Sequence, residues 1–287
     1  MRKIKELILE KLIFICGIAS IFFVVLIFLF LLKEGFALFK TVLPADFLFG
    51  RKWYPISEPA QLGILPLILG SLLVTFGAAL ISIPIGVASA IYIAEVAPAK
   101  SKEILKAGIE LLAAIPSVVL GFIGMVTLVP WVKKLFHLPT GLTALSGSIM
   151  LAFMAMPTIV SIAEDALYSV PKTYKEGALA LGATHWQAIW RVMLPAASSG
   201  ILAAVMLGIG RVIGETMAVM MITGNAAVMP TSILQPVRTL TATIAAEMGE
   251  AVVGSEHYFA LFAIGIVLFV ISFAVNVGAD LFLHKKR

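Results

Sequence analysis

Six long apolar runs, separated by short polar stretches, organise this chain. Leu12 to Leu32 carries no charge between Lys11 and Lys33. Pro59 to Ala94 is uncharged and longer than one span, and Leu67 to Ile93 is taken as its helix. Leu111 to Val132 follows Glu110, and Leu142 to Ala163 ends at Glu164. The fifth run, Ser198 to Ile222, contains Arg211 and Glu215, and the sixth, Tyr258 to Ala279, stops at Asp280. About 20 apolar residues cross the hydrocarbon core of a bilayer, so the pattern predicts six transmembrane helices. The first run is too long for a signal-peptide core and no small-x-small site follows it, so it reads as a retained helix.

Two polar segments interrupt this pattern. The first, 164–197, has helix formers from Lys172 to Leu181, then Gly182, then a second helical stretch from His185 to Met193. Two short helices hinged at Gly182 make a compact knob at the membrane surface, and Ala178, Ala180 and Ala183 are small enough for close docking. Pro195 then breaks the chain into the next span. The second segment, 226–257, has helix-forming content from Thr239 to Gly249 and reads as a helix lying at or dipping into the membrane face. Its acids, Glu247, Glu250 and Glu256, suit a docking partner, although a solvated loop explains them as well. Pro66, Pro84, Pro116, Pro130 and Pro157 lie in or near spans, where proline bends or ends helices.

Composition agrees with the pattern. The 287 residues are 61% hydrophobic and 13% charged, with a mean hydropathy of +1.06. A soluble domain carries about 25% charged residues. With both termini on the inner side, inner segments hold 13 Lys and Arg and outer segments 7, with Arg211 inside a span. This bias places the termini and the 164–197 segment in the cytoplasm. The net charge of +5 therefore reports topology rather than affinity for nucleic acid. The single cysteine, Cys16, excludes a disulfide framework. The four histidines, 137, 185, 257 and 284, lack metal-site spacing. There is no Gly-x-x-x-x-Gly-Lys-[Ser/Thr] loop to bind ATP, and no constellation of catalytic side chains, so the chain reads as non-catalytic and without cofactor.

The knob has a specific pattern. Residues 176–195 read E-G-A-L-A-L-G-A-T-H-W-Q-A-I-W-R-V-M-L-P. This resembles the coupling motif of ABC importer permeases, Glu-Ala-Ala, three residues, Gly, nine residues, Ile-x-Leu-Pro. Glu176 and Ala178 match, Gly177 replaces the first Ala, Gly182 falls at the required spacing, Val192 stands for Ile, and Leu194 and Pro195 close the pattern. The resemblance implies that the loop sits in a cleft of an ATPase subunit and follows its motion. It further implies an all-α membrane protein, with a five-helix permease core in residues 62–287 and an accessory N-terminal helix and outer loop in residues 1–61.

Arg211 and Glu215 are four residues apart, so a continuous helix places them on one face. A charge at mid-membrane costs about 2.5–3.5 kcal/mol by insertion scales, so such residues are rarely idle. Arg binds tetrahedral oxyanions through paired hydrogen bonds. One reading makes Arg211 a transient anion site that Glu215 neutralises when empty. The other makes the two a permanent ion pair that fixes helix packing. The residues alone leave both open.

The stretches at 194–225, 238–251 and 111–121 resemble the phosphate-specific, PstC-type branch of these permeases, a likeness that covers about four-fifths of the chain. It implies import of inorganic phosphate across the bacterial inner membrane. The implied partners are a companion permease in a heterodimer, two ATPase subunits and an external phosphate-binding protein. Arg211 and Glu215 then stand on the substrate pathway, while Glu176, Gly177, Ala178, Gly182, Leu194 and Pro195 serve coupling. The alternatives are a permease for sulfate or molybdate, or an ATP-independent secondary transporter.

Overall fold

The computed structural model describes the backbone of residues 2–284 and the side chains of residues 9–278. The basic residues Lys285 to Arg287, and the side chains of Arg2, Lys3 and Lys5, lie outside the described residues. Helix α1 (Arg2–Ala37) leads through a short turn to α2 (Pro44–Phe49). A two-stranded antiparallel hairpin follows, β1 (Trp53–Tyr54) and β2 (Gln61–Leu62), with Trp53 opposite Leu62. Helix α3 (Leu65–Ile91) continues into a π-helical turn over Tyr92–Val96. Next come α4 (Ala99–Ala114), α5 (Ser117–Leu135) and α6 (Ala144–Tyr168). The knob is α7 (Lys172–Ala180), α8 (His185–Ala188), a second π turn and α9 (Leu194–Ala196). The chain ends with α10 (Ser198–Gly214), α11 (Met217–Ile222), α12 (Leu240–Glu247) and α13 (Glu256–His284).

Among the described residues, five helices are long and apolar enough to span a membrane, and a sixth span results if the bent pair His185–Ala196 and Ser198–Gly214 counts as one. The six-helix expectation holds in that sense, with two local corrections. The third span does not start at Leu111. Ile115 is extended (φ −68°, ψ 127°), because the residue before a proline avoids the helical region. Leu111 therefore belongs to α4, and the span begins at Ser117. The fifth span is not one helix through Ile222. It stops at Gly214, and Glu215 is extended (φ −69°, ψ 132°).

Helix α6 is the centre of the bundle, flanked by α3 and α10. Ile159, fully buried on α6, fills the gap between two glycines. A Cβ on Gly86 of α3 would lie 2.9 Å from Ile159 Cγ2, and one on Gly208 of α10 would lie 2.5 Å from Ile159 Cγ1. Small residues at such crossings let helix backbones approach closely where there is no hydrophobic effect to drive association. Val74, Leu151, Val205, Val212 and Val219 complete this central cluster.

A second core lies at the end of the bundle opposite the knob. Leu38, Phe47, Trp53, Leu62 and Ile64 from the N-terminal region pack with Leu67, Leu240, Leu261 and Ile264. Among the described residues, α1 packs mainly on α13, with Phe28 and Phe269 centroids 4.6 Å apart. Its other faces show exposed apolar side chains such as Ile13, Phe22 and Ile27, as a lipid-facing helix requires. Helix α12 confirms the helix expected within 239–249. Thr239 caps it by accepting from the Ala242 N–H at 3.3 Å. The solvated-loop reading of its acids needs correction at Glu247. That half-buried carboxylate accepts from Trp53 Nε1 at 3.1 Å, contacts His257 Nε2 at 2.8 Å and pairs with Arg238.

Candidate functional site

The knob forms as its sequence suggests. Gly182 ends α7 with φ +86°, a left-handed conformation that glycine adopts without steric penalty. Thr184 then starts α8 with a capping box: its hydroxyl accepts from the Gln187 N–H at 3.3 Å, and the Gln187 side-chain Oε1 accepts from the Thr184 N–H at 2.9 Å. The root of the knob is apolar. Ile189, Met193 and Leu194 pack with Ile91 at the end of α3 and with Leu167 and Val170 at the end of α6. From there the chain turns by 70° into α10 just after Pro195.

The outward side of the knob is exposed and mixed in character. Tyr174, Leu181, Trp186 and Trp190 are exposed, Leu181 to 91%. Glu176 is also exposed, and Ala178 is half-buried. A Cβ on Gly177 would meet nothing within 4 Å, so its departure from alanine has no packing reason within this chain. Exposed aromatic and aliphatic side chains and a carboxylate on one short segment suit burial against another protein.

The intramembrane charges stand differently from the sequence expectation. Because α10 ends at Gly214, Arg211 and Glu215 do not share a helix face, and no ion pair joins them. Arg211 Nη1 donates to the Thr158 hydroxyl of α6 at 3.3 Å. The Glu215 carboxylate instead caps α11, accepting from the Ala218 N–H at 3.2 Å. The Thr241 hydroxyl of α12 donates to the Glu215 carbonyl at 2.9 Å, which holds the break open. Arg211 is exposed on the same stripe as Leu207 and Gly214, and Cβ atoms at Gly210 and Gly214 would meet nothing within 4 Å. Among the described residues, most of the guanidinium's donors therefore have no partner, and this face is left open.

Two further carboxylates escaped the sequence reading. Glu164, taken there only as the end of a span, is 3% exposed. It binds Lys102 and Lys106 of α4, each at 2.9 Å. Hydrogen bonding to Glu164 holds the Lys106 ammonium above its ordinary pKa, against a smaller opposing effect of burial. This clasp fixes the amphipathic α4 across the knob end of the bundle. Glu95, in the π turn after α3, pairs with Lys175 of the knob at 2.5 Å. The signal available in sequence was an acid at the end of an apolar run in each case, but the partners lie 58 and 80 residues away. Among the described residues, no group of His, Cys, Asp and Glu is placed to hold a metal ion.

Comparison with known proteins places this geometry in context. Residues 82–287 match the family described as "Binding-protein-dependent transport system inner membrane component". The chain is 43% identical over 260 residues to a probable ABC transporter permease protein, YqgH, of Bacillus subtilis, covering 90% of this chain and 84% of that one. It is 36% identical over 249 residues to the phosphate transport system permease protein PstC of Mesorhizobium japonicum, covering 80% and 75%. It is 35% identical over 261 residues to PstC of Haemophilus influenzae, covering 84% and 82%. Among solved structures, the fold is similar to a chain of an alginate ABC transporter (TM-score 0.65, 15% identity, covering 91% and 89%). It is also similar to a chain of the MetNI methionine ABC transporter in an inward-facing state (TM-score 0.62, 19% identity, covering 80% and 99%).

Proposed function

The chain belongs to the family of binding-protein-dependent transport system inner membrane components, and on that premise we propose that it is the transmembrane permease subunit of an ATP-driven importer of inorganic phosphate. It is a multi-pass inner-membrane protein, and permeases of its family work with an ATPase and a substrate-binding protein. ATP hydrolysis belongs to that ATPase partner.

One observation carries the substrate reading beyond the likeness to phosphate permeases. Arg211 lies within a span, and among the described residues its one hydrogen-bond partner is the Thr158 hydroxyl. A guanidinium facing lipid costs about 2.5–3.5 kcal/mol by insertion scales, so this face is covered by a companion subunit or by a water-filled path. In either setting the free donors suit a tetrahedral oxyanion. Glu215 lies beyond the helix break, where its carboxylate accepts a hydrogen bond from protonated phosphate and repels sulfate.

The knob is the ATPase contact. Glu176, Gly177 and Ala178 present the docking surface, Gly182 shapes it, and Leu194 and Pro195 join it to α10. The knob end of the bundle faces the cytoplasm, together with both termini. A heterodimer with a second permease, two ATPase subunits and an external phosphate-binding protein complete the assembly. Residues 1–61 are an accessory element added to a 62–287 permease core.

The test is ATP-dependent uptake of radiolabelled phosphate by the reconstituted assembly, under sulfate competition. Uptake that requires ATP and the binding protein and resists excess sulfate supports the reading. Uptake of sulfate or molybdate instead discards the substrate but keeps the architecture, and uptake without ATP overturns the coupling role.

A further inference from the structure

Glu95 joins the two halves of the knob to one span. It sits in the π turn that ends α3, where the carbonyl pattern is out of register with an ordinary helix. Its side chain is 8% exposed. The carboxylate accepts from Lys175 Nζ at 2.5 Å, one residue before Glu176 on α7. Its backbone carbonyl lies 3.3 Å from His185 Nε2, at the start of α8. Single-turn π bulges in helices often mark functional positions. A carboxylate this buried, held by one ammonium, is costly to leave unpaired.

The consequence is mechanical. Lys175 and His185 stand on either side of the Gly182 hinge, and Glu95 holds both. Helix α3 carries Pro84 within the same span and rests against Ile159 through Gly86. We propose that Glu95 is a positioning residue for coupling, clamping the knob to the end of α3 so that displacement of the knob moves α3 with it. The apolar root of the knob already packs on Ile91 of α3 and Leu167 of α6, and Glu95 adds a charged, directional tie to α3. This rests on the reading of the knob as the ATPase contact.

The experiment compares Glu95→Gln, Lys175→Met, the charge exchange Glu95→Lys with Lys175→Glu, and Glu176→Lys in the full reconstituted assembly. Three quantities are measured: ATPase subunits retained on purification, phosphate taken up, and ATP hydrolysed per phosphate. We expect Glu95→Gln and Lys175→Met to retain the ATPase, lose about 5- to 20-fold of uptake, and raise the ATP consumed per phosphate several-fold. The charge exchange should recover at least half of the wild-type ratio. Wild-type coupling in Glu95→Gln beside a defective Glu176→Lys overturns the clamp and spares the docking role. Loss of the ATPase from Glu95→Gln that the exchange does not restore also overturns it, since Glu95 would then serve folding alone. Normal uptake in Glu176→Lys removes the docking role and the clamp with it.

Discussion

Arg211 and Glu215 are separated by a helix end. Arg211 lies in the last turn of α10 and bonds to Thr158, while Glu215 is already extended and caps the next helix, α11. The two charges do not cancel each other. Each is held by a different part of the bundle, and most of the guanidinium's donors have no partner among the described residues.

Replacing Arg211 therefore removes donors rather than an internal ion pair. Arg211→Gln is expected to reduce phosphate uptake by about 10- to 100-fold, the range that follows from losing a hydrogen bond to a charged group worth about 1.5–3 kcal/mol. Arg211→Lys keeps the charge but not the planar fork, and should recover only part of the activity. Thr158→Val should cost far less. Initial uptake rates in proteoliposomes, with complex recovery as the control, check this.

Glu215→Gln keeps an acceptor for the Ala218 N–H but loses the charge to which the proposed function assigns the rejection of sulfate. It should fold normally and show weaker discrimination between phosphate and sulfate in competition uptake. Unchanged phosphate and sulfate uptake would falsify the role given to Glu215.

In the knob, three neighbouring positions should respond differently. Glu176→Lys is expected to abolish coupled uptake. Gly177→Ala fills open space within α7 and should be neutral for uptake while stabilising the helix by about 0.5–1 kcal/mol. Gly182→Ala places a Cβ in a left-handed conformation that costs about 1–2 kcal/mol, and should weaken retention of the ATPase. Co-purification of ATPase with each variant separates the three.

Gly208 and Gly210 make an internal comparison for stability. Gly208→Val drives side-chain atoms into Ile159 and should destabilise the purified chain by about 1–3 kcal/mol, the usual cost of overpacking. Gly210→Ala meets nothing within 4 Å and should gain up to about 1 kcal/mol of helix propensity. Thermal unfolding in detergent, followed by tryptophan fluorescence, reads both.

Glu164→Ala leaves Lys102 and Lys106 without their shared partner. Helix α4 should loosen from the knob end of the bundle, and trypsin should cut at Lys102 and Lys106 faster than in wild type. Glu164→Asp, which keeps the charge, should restore part of the protection. Equal cleavage rates in wild type and Glu164→Ala would show that α4 is held by its apolar face alone.

What the sequence determined by itself was set by local rules. Apolar runs long enough to cross a bilayer located the spans, because burial in hydrocarbon acts on each residue without reference to its neighbours in space. The knob was legible for the same reason: Gly182 permits a left-handed turn, and Thr184 with Gln187 forms a capping box within three residues. Even the break before Ser117 was present in the restriction that Pro116 places on Ile115. The rest required tertiary structure. Gly214 does not by itself end a helix; the Thr241 hydroxyl bound to the Glu215 carbonyl and the Ala218 N–H bound to the Glu215 carboxylate stabilise that ending, and these contacts come from α12 and α11. Likewise Glu95 and Glu164 read as span ends until folding brought Lys175, Lys102 and Lys106 beside them. A charge pair depends on distance in space, and no periodicity along the chain records which lysine will arrive.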